Sequence, residues 1–132
     1  MQTDKLINFL NDSQAISNYN ILLTDLKKII IAKPSYIEET YLSKNLSYNL
    51  LELLSSITYS KNQQYLFVDK ENILPIFKDD SNSYASEIIL PIFNKDKLFG
   101  LLIFFSHDKK FLNSNLNYAM TTKFFVEKFL LY

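Results

Sequence analysis

The sole histidine, His107, stands in the segment Ser106-His107-Asp108-Lys109-Lys110, and a lone imidazole is the first candidate for a general base. Such a base needs a nucleophile within hydrogen-bond reach. The chain has no cysteine, and no serine is paired with His107 by its spacing. His107 therefore reads as a solvated residue at a strand end. The vicinal acids Glu38-Glu39 and Asp79-Asp80 have the charge for a divalent ion, but neighbouring side chains on a helix or strand point apart, so they read as solvated surface. The polar stretch from Ser81 to Ser86, with Asn82 and Tyr84, has the donors and acceptors of a lid over a small ligand, but reads first as an ordinary surface loop. One glycine cannot build a phosphate-cradling loop. With no catalytic constellation in view, the chain is expected not to be an enzyme, and neither a metal nor another cofactor is expected.

Composition narrows the partners. The 132 residues are 48% apolar and carry 14 basic and 14 acidic side chains, for a formal net charge of zero. That length and apolar content suit one domain with its own core. Every basic residue is lysine and no dense basic run occurs. Bidentate recognition of phosphates and guanines is largely arginine chemistry, so direct nucleic-acid binding by this chain is not expected. The absence of cysteine removes disulfides, thiol nucleophiles and thiolate metal sites together. Asp4, Lys5, Asn8 and Asp12 interrupt the N-terminal apolar residues, and the longest apolar run, Leu98 to Phe105, is far too short to span a bilayer. No membrane association is expected, and a cytoplasmic location is.

The elements that would position any site follow from periodicity. Leu6, Ile7, Phe9 and Leu10 fall at helical spacing within residues 2 to 15, with Thr3 as a cap. A hairpin is predicted from Ile21 to Thr24 and Ile29 to Ala32, turning at Asp25 to Lys28. After Pro34 and a short helical turn at 37 to 42, Leu46, Leu50, Leu53, Leu54 and Ile57 mark an amphipathic helix. A third strand is predicted at 64 to 69 and an irregular loop at 71 to 84. The chain closes on a helix from about Ser114 to Tyr132, whose apolar residues cover more than one face and exceed what one sheet face needs.

Between loop and helix lies SEIILPIFNKDKLFGLLIFFS, residues 86 to 106: two apolar runs around the polar knot Asn94-Lys95-Asp96-Lys97. Branched and aromatic side chains make the runs strands and the knot a hairpin turn. Both are apolar at odd and even positions alike, so both faces should be covered. Gly100, the one glycine, weakens its strand unless something approaches the backbone there. A settling helix is the expected neighbour, with a ligand as the other choice.

This element order, with Pro91 and Ile92 before a short turn and an apolar-Gly100-apolar strand after it, resembles a GAF domain. More narrowly, ILLTDLKKIIIAK, YLSKNLSYNLLELL and the hairpin are similar, in order, to the C-terminal GAF-like domain of the stage V sporulation protein T regulators. The likeness covers roughly residues 19 to 132. It implies a mixed α/β (α+β) fold: one domain over 1–132, with an antiparallel sheet of five or six strands and the helices 1–18 and 114–132 together on one face. It implies a ligand cavity on the other face, roofed by the helix at 47 to 58 and the loop at 71 to 84, with Tyr48, Tyr59, Tyr84 and Ser86 near its mouth. It also implies a non-enzymatic sensory module in bacterial transcriptional regulation that binds an unidentified small molecule. The regulators' DNA-binding segment has no counterpart here, and the cysteine chemistries of bilin attachment and methionine sulfoxide reduction fail on composition.

The terminal helices would leave Leu6, Phe9 and Leu10 beside Phe125, Phe129 and Tyr132. Burying that surface between two copies stabilises at about 25 cal/mol per Å², so a homodimer through a symmetric four-helix contact is expected. The competing reading is a pure dimerisation domain of the roadblock or longin kind, without a ligand cavity.

Overall fold

The computed structural model describes residues 3–27, 30–38, 66–69, 86–106 and 110–131, with backbone alone for 66–69. The expected roof at 47 to 58 and 71 to 84, residues 39 to 42 of the turn expected at 37 to 42, and His107, Glu39, Asp79 and Asp80 lie outside them.

Helix α1 (Thr3–Ser17) buries Leu6, Leu10 and Ser13, one stripe at spacings of four and three. Asp4 in its first turn suits the positive end of the helix dipole. It ends where Asn18 takes a left-handed φ of 60° and donates its N–H to the Gln14 carbonyl at 2.9 Å, a stop that asparagine tolerates better than most residues. Strands β1 (Asn20–Asp25), β2 (Ile30–Ala32), β3 (Leu66–Asp69), β4 (Ser86–Asn94) and β5 (Lys97–Ser106) precede helix α2 (Asn113–Leu131). They form one sheet in the order β2-β1-β5-β4-β3, and its four pairings are antiparallel. The β4–β5 hairpin thus sits inside the sheet, as its doubly apolar pattern requires. Its turn is tighter than predicted: Asn94 pairs with Lys97, leaving only Lys95 and Asp96 as the link, with Lys95 at φ 57°.

Leu6 and Leu10 of α1, Ile21 and Leu23 of β1, Ile88, Leu90 and Ile92 of β4, Leu102 and Phe104 of β5, and Ala119, Val126 and Leu130 of α2 form one buried cluster. Both described helices therefore lie on the same face of the sheet. The fold is the mixed α/β arrangement expected, with five strands among the described residues.

Gly100 answers differently from either expectation. It is buried and pairs with Asp25 on one side and Ile92 on the other. A Cβ there would collide with the Thr24 carbonyl oxygen and stand 2.8 Å from the Asp25 Cα. The close neighbour is the backbone of β1, neither a helix nor a ligand. The cause is local: the pairing of β4 with β5 slips by one residue between Ile92 and Phe93, and such a bulge bends and twists the strand into its neighbour. Pro91, just before the slip, lies beyond Ile89, the last β4 residue that pairs with β3. A strand tolerates proline where it is an edge.

Candidate functional site

Alternation along the strands assigns the remaining side chains to the face opposite the helices. These are Leu22 and Thr24 of β1, Leu101, Ile103 and Phe105 of β5, and Glu87 and Ile89 of β4. None is more than 1% exposed, although α1 and α2 both lie on the other face. The floor of this second face is apolar at its centre, where Leu22, Ile103 and Ile89 stand abreast on three neighbouring strands. Its polar groups sit at opposite corners. Thr24 is level with Leu101, and Glu87 is level with Phe105. Four residues along β5 and one strand to each side put them about 13 Å apart along the strands and about 10 Å across. The Thr24 hydroxyl is buried with no hydrogen-bond partner among the described residues. The Glu87 carboxylate is also fully buried, and a buried carboxylate is costly unless donors or cations surround it.

Ser86 was expected on this side. It pairs with Ser106 and, two residues before Ile88 and four before Leu90, shares their helix-facing side. A step of one residue exchanges faces, so Glu87, and not Ser86, lies on the face away from the described helices. Tyr48, Tyr59 and Tyr84 lie outside the described residues. Sequence reasoning passed over Glu87 because it is embedded in a strand read as wholly apolar; its being the one charge in SEIILPIF was the available signal.

The helix face resolves its polar groups. Lys123 of α2, only 7% exposed, donates to the Pro91 carbonyl at 2.8 Å and to Glu127 Oε2 at 2.8 Å. The same Glu127 oxygen accepts the Phe93 N–H at 2.8 Å, and Lys123 Nζ lies 5.3 Å from the centroid of the Phe93 ring. Lysine preceding glutamate by four is the weaker orientation for helix stability. The pair's work is instead to engage β4 backbone groups on either side of the slip. Of the residues expected at a dimer contact, Leu6 and Leu10 are fully buried in the chain's own core and leave nothing for a partner to cover. Phe9 stacks at a tilt against Phe125 and Phe129, with centroids 5.8 and 5.4 Å apart. Outside that seam Phe125 remains 46% exposed and Phe124 54%. Tyr132 is outside the described residues.

A polar groove of about 430 Å³ opens at the end of the sheet, lined by residues that include Gln14, Asn20, Ser35 and Tyr36. Its amides already hold the fold together. Gln14 Oε1 accepts the Ile21 N–H at 3.1 Å, and Asn20 Nδ2 donates to the Phe105 carbonyl at 3.1 Å. The Tyr36 hydroxyl donates to Asn20 Oδ1 at 2.6 Å, and partial burial raises the Tyr36 phenol above its ordinary pKa. The adjoining groove, of about 440 Å³, is lined in part by Tyr19 and Asn115. Asn115 donates to the Tyr19 hydroxyl at 2.6 Å while its Oδ1 accepts the Leu112 N–H at 2.7 Å, capping α2. These are well-shaped concavities whose polar atoms are largely committed, so the second sheet face is the stronger candidate. Among the described residues no group of three or more His, Cys, Asp or Glu could hold a metal ion, and no helix is long and apolar enough to cross a membrane.

No family model matches the sequence, and no curated protein does. Solved structures do match in shape. The cofactor-binding GAF domain of the nutrient sensor CodY from Clostridium difficile superposes with a TM-score of 0.61 at 15% identity, covering 89% of this chain and 79% of that one. The phycocyanobilin-bound GAF domain of a cyanobacterial phytochrome gives 0.59 at 16% identity over 99% of this chain and 83% of its own. The GAF domain of a two-component sensor histidine kinase from Bacillus halodurans gives 0.51 at 15% identity, covering 93% and 89%. The chain has the fold of a GAF domain.

Proposed function

We propose that this domain is a non-enzymatic sensory module that binds a small molecule against the second face of its sheet. The observation that carries the reading is the division of the sheet. Both described helices lie on one face, yet the other is fully buried and bears a carboxylate and a hydroxyl at the corners of an apolar floor. An apolar site with a few placed polar groups is the usual make-up of a small-molecule pocket. The shared fold with a cofactor-binding domain and a bilin-bound one adds support.

The rest of the reading follows the sequence resemblance. The domain is cytoplasmic and belongs to a bacterial regulator of the sporulation type, acting on transcription without itself touching nucleic acid. Two copies associate through the seam of Phe9, Phe125 and Phe129, with the exposed Phe124 and Leu131 completing an apolar strip. Ligand binding transmits only if the ligand favours one arrangement of those helices over another. A thermal-shift screen of the purified domain against a broad metabolite panel tests the sensing: at least one compound raises the melting temperature in a saturable way, and a flat panel would overturn it. Sedimentation of a monomer at micromolar concentration would overturn the dimer separately.

A further inference from the structure

We infer that Lys123 and Glu127 of α2 together take the place of a neighbouring strand: they close the edge of β4 beyond the end of β3, and their release lets a second copy of this chain add to the sheet there. Three observations carry it. The first is where β3 stops. Among the described residues it accompanies β4 only as far as Ile89, so Pro91 and Phe93 stand past the end of that ladder. The second is what those two residues bond. A strand offers its backbone groups to one edge at every second residue, and Pro91 and Phe93 are two apart. The Pro91 carbonyl accepts from Lys123 Nζ at 2.8 Å, and the Phe93 N–H is given to Glu127 Oε2 at 2.8 Å. A strand arriving on that edge finds both groups taken.

The third observation is the spacing. Four residues of helix rise about 6 Å and two residues of strand about 6.6 Å, so side chains at i and i+4 of α2 come level with backbone groups at i and i+2 of β4. The order fits as well. Lysine four residues before glutamate is the weaker arrangement for the helix itself, but it is the one that puts the donor at the carbonyl and the acceptor at the N–H. The ion pair between them, 2.8 Å long, holds each in place, and Lys123 is only 7% exposed. An open strand edge is a template for another chain unless a charge, a bulge or a covering element defends it. No charged side chain stands on β4 from Ile88 to Phe93 to turn one away. Identical strands pair antiparallel about a two-fold axis, the commonest symmetry of association, so the arriving chain is a second β4. This contact is separate from the aromatic seam of Phe9, Phe125 and Phe129.

The test combines amide hydrogen exchange with sedimentation. Relative to intrinsic rates, the wild-type Phe93 amide should exchange at least tenfold more slowly than the turn amides of Lys95 and Asp96. Lys123→Met/Glu127→Leu removes both substitutes and keeps the helix apolar there; it should abolish that difference and sediment as species larger than wild type at the same concentration. Lys123→Glu/Glu127→Lys keeps the ion pair, in the order a helix favours, but sets a carboxylate at the Pro91 carbonyl, and it should associate in the same way. Gly100→Ala, which strains the β1–β5 pairing and leaves the pair intact, is the control for lost stability and should sediment as wild type does. A wild-type Phe93 amide as fast as the turn, either folded double variant sedimenting like wild type, or Gly100→Ala associating equally overturns the inference. The charge-exchanged variant and the wild-type exchange rates decide it if the apolar variant does not fold.

Discussion

The two faces of the sheet are built from the same strands and put to different uses. On the helix face, apolar side chains from β1, β4 and β5 meet α1 and α2, and the Lys123–Glu127 pair engages the Pro91 carbonyl and the Phe93 N–H beside the bulge. On the second face, one residue out of step along each strand, burial is as complete, a hydroxyl has no partner among the described residues, and a carboxylate is fully buried. The difference teaches that burial alone does not identify a structural core. A face whose polar groups are accounted for within the fold holds the domain together, and one with a buried hydroxyl that no described group meets is the place to look for a ligand.

The largest test of that contrast uses two neighbours on β5. Phe104 faces the helices and Phe105 faces away, each about 1% exposed. Phe104→Ala and Phe105→Ala should each cost about 3–5 kcal/mol in chemical denaturation. Only the second should also weaken binding of a panel hit when both proteins are compared while fully folded. Equal effects on binding would erase the distinction between the faces.

Gly100→Ala should cost about 1–3 kcal/mol, because β1 backbone occupies the place of the new methyl group and cannot rotate away as a side chain would. Stability measured by denaturation within 0.5 kcal/mol of wild type would mean that the strands separate there easily. Lys123→Met should cost about 1–3 kcal/mol by leaving the buried Pro91 carbonyl without its donor, and amide exchange near Phe93 should quicken. A silent substitution would show that the clamp is not needed to fasten α2.

On the second face the sign reverses. Thr24→Val removes a buried hydroxyl with no described partner and keeps the shape, so stability should hold or rise by up to about 1 kcal/mol. A loss above that amount would show that the hydroxyl is engaged within the fold. The smallest effect is a pH dependence outside both faces. The Tyr36 phenol is raised by burial, so its contribution is fully present below the ordinary tyrosine pKa of about 10 and is lost as pH rises through the higher folded value. Tyr36→Phe should flatten the alkaline end of the stability profile, measured by denaturant midpoints above pH 9, and leave neutral pH nearly unchanged.

Much of this architecture is legible in the chain because it depends on near neighbours. The run from Ile88 to Phe105 is branched and aromatic at odd and even positions, which marks paired strands covered on both sides. Leu6 and Leu10 declare the inner stripe of α1. The helical pattern of α2 with extra aromatics at Phe124 and Phe125 declares a helix with more apolar surface than one face can bury. What the chain conceals is which side chain looks where. Ser86 and Glu87 differ by one position and therefore by a whole face, which residue types alone do not reveal.

Residue types and their periodicity determined by themselves that this protein has an interior hairpin, amphipathic terminal helices and no thiol chemistry, since those properties rest on composition and on preferences that act within a few residues. Only the tertiary structure decided that Gly100 yields to the β1 backbone, that Lys123 and Glu127 serve β4, and that Glu87 lies on the face opposite both described helices. Each of those depends on strand register between segments far apart in the chain, such as Asn20 against Phe105. Register is settled by the packing of whole faces, which no local stretch of sequence contains.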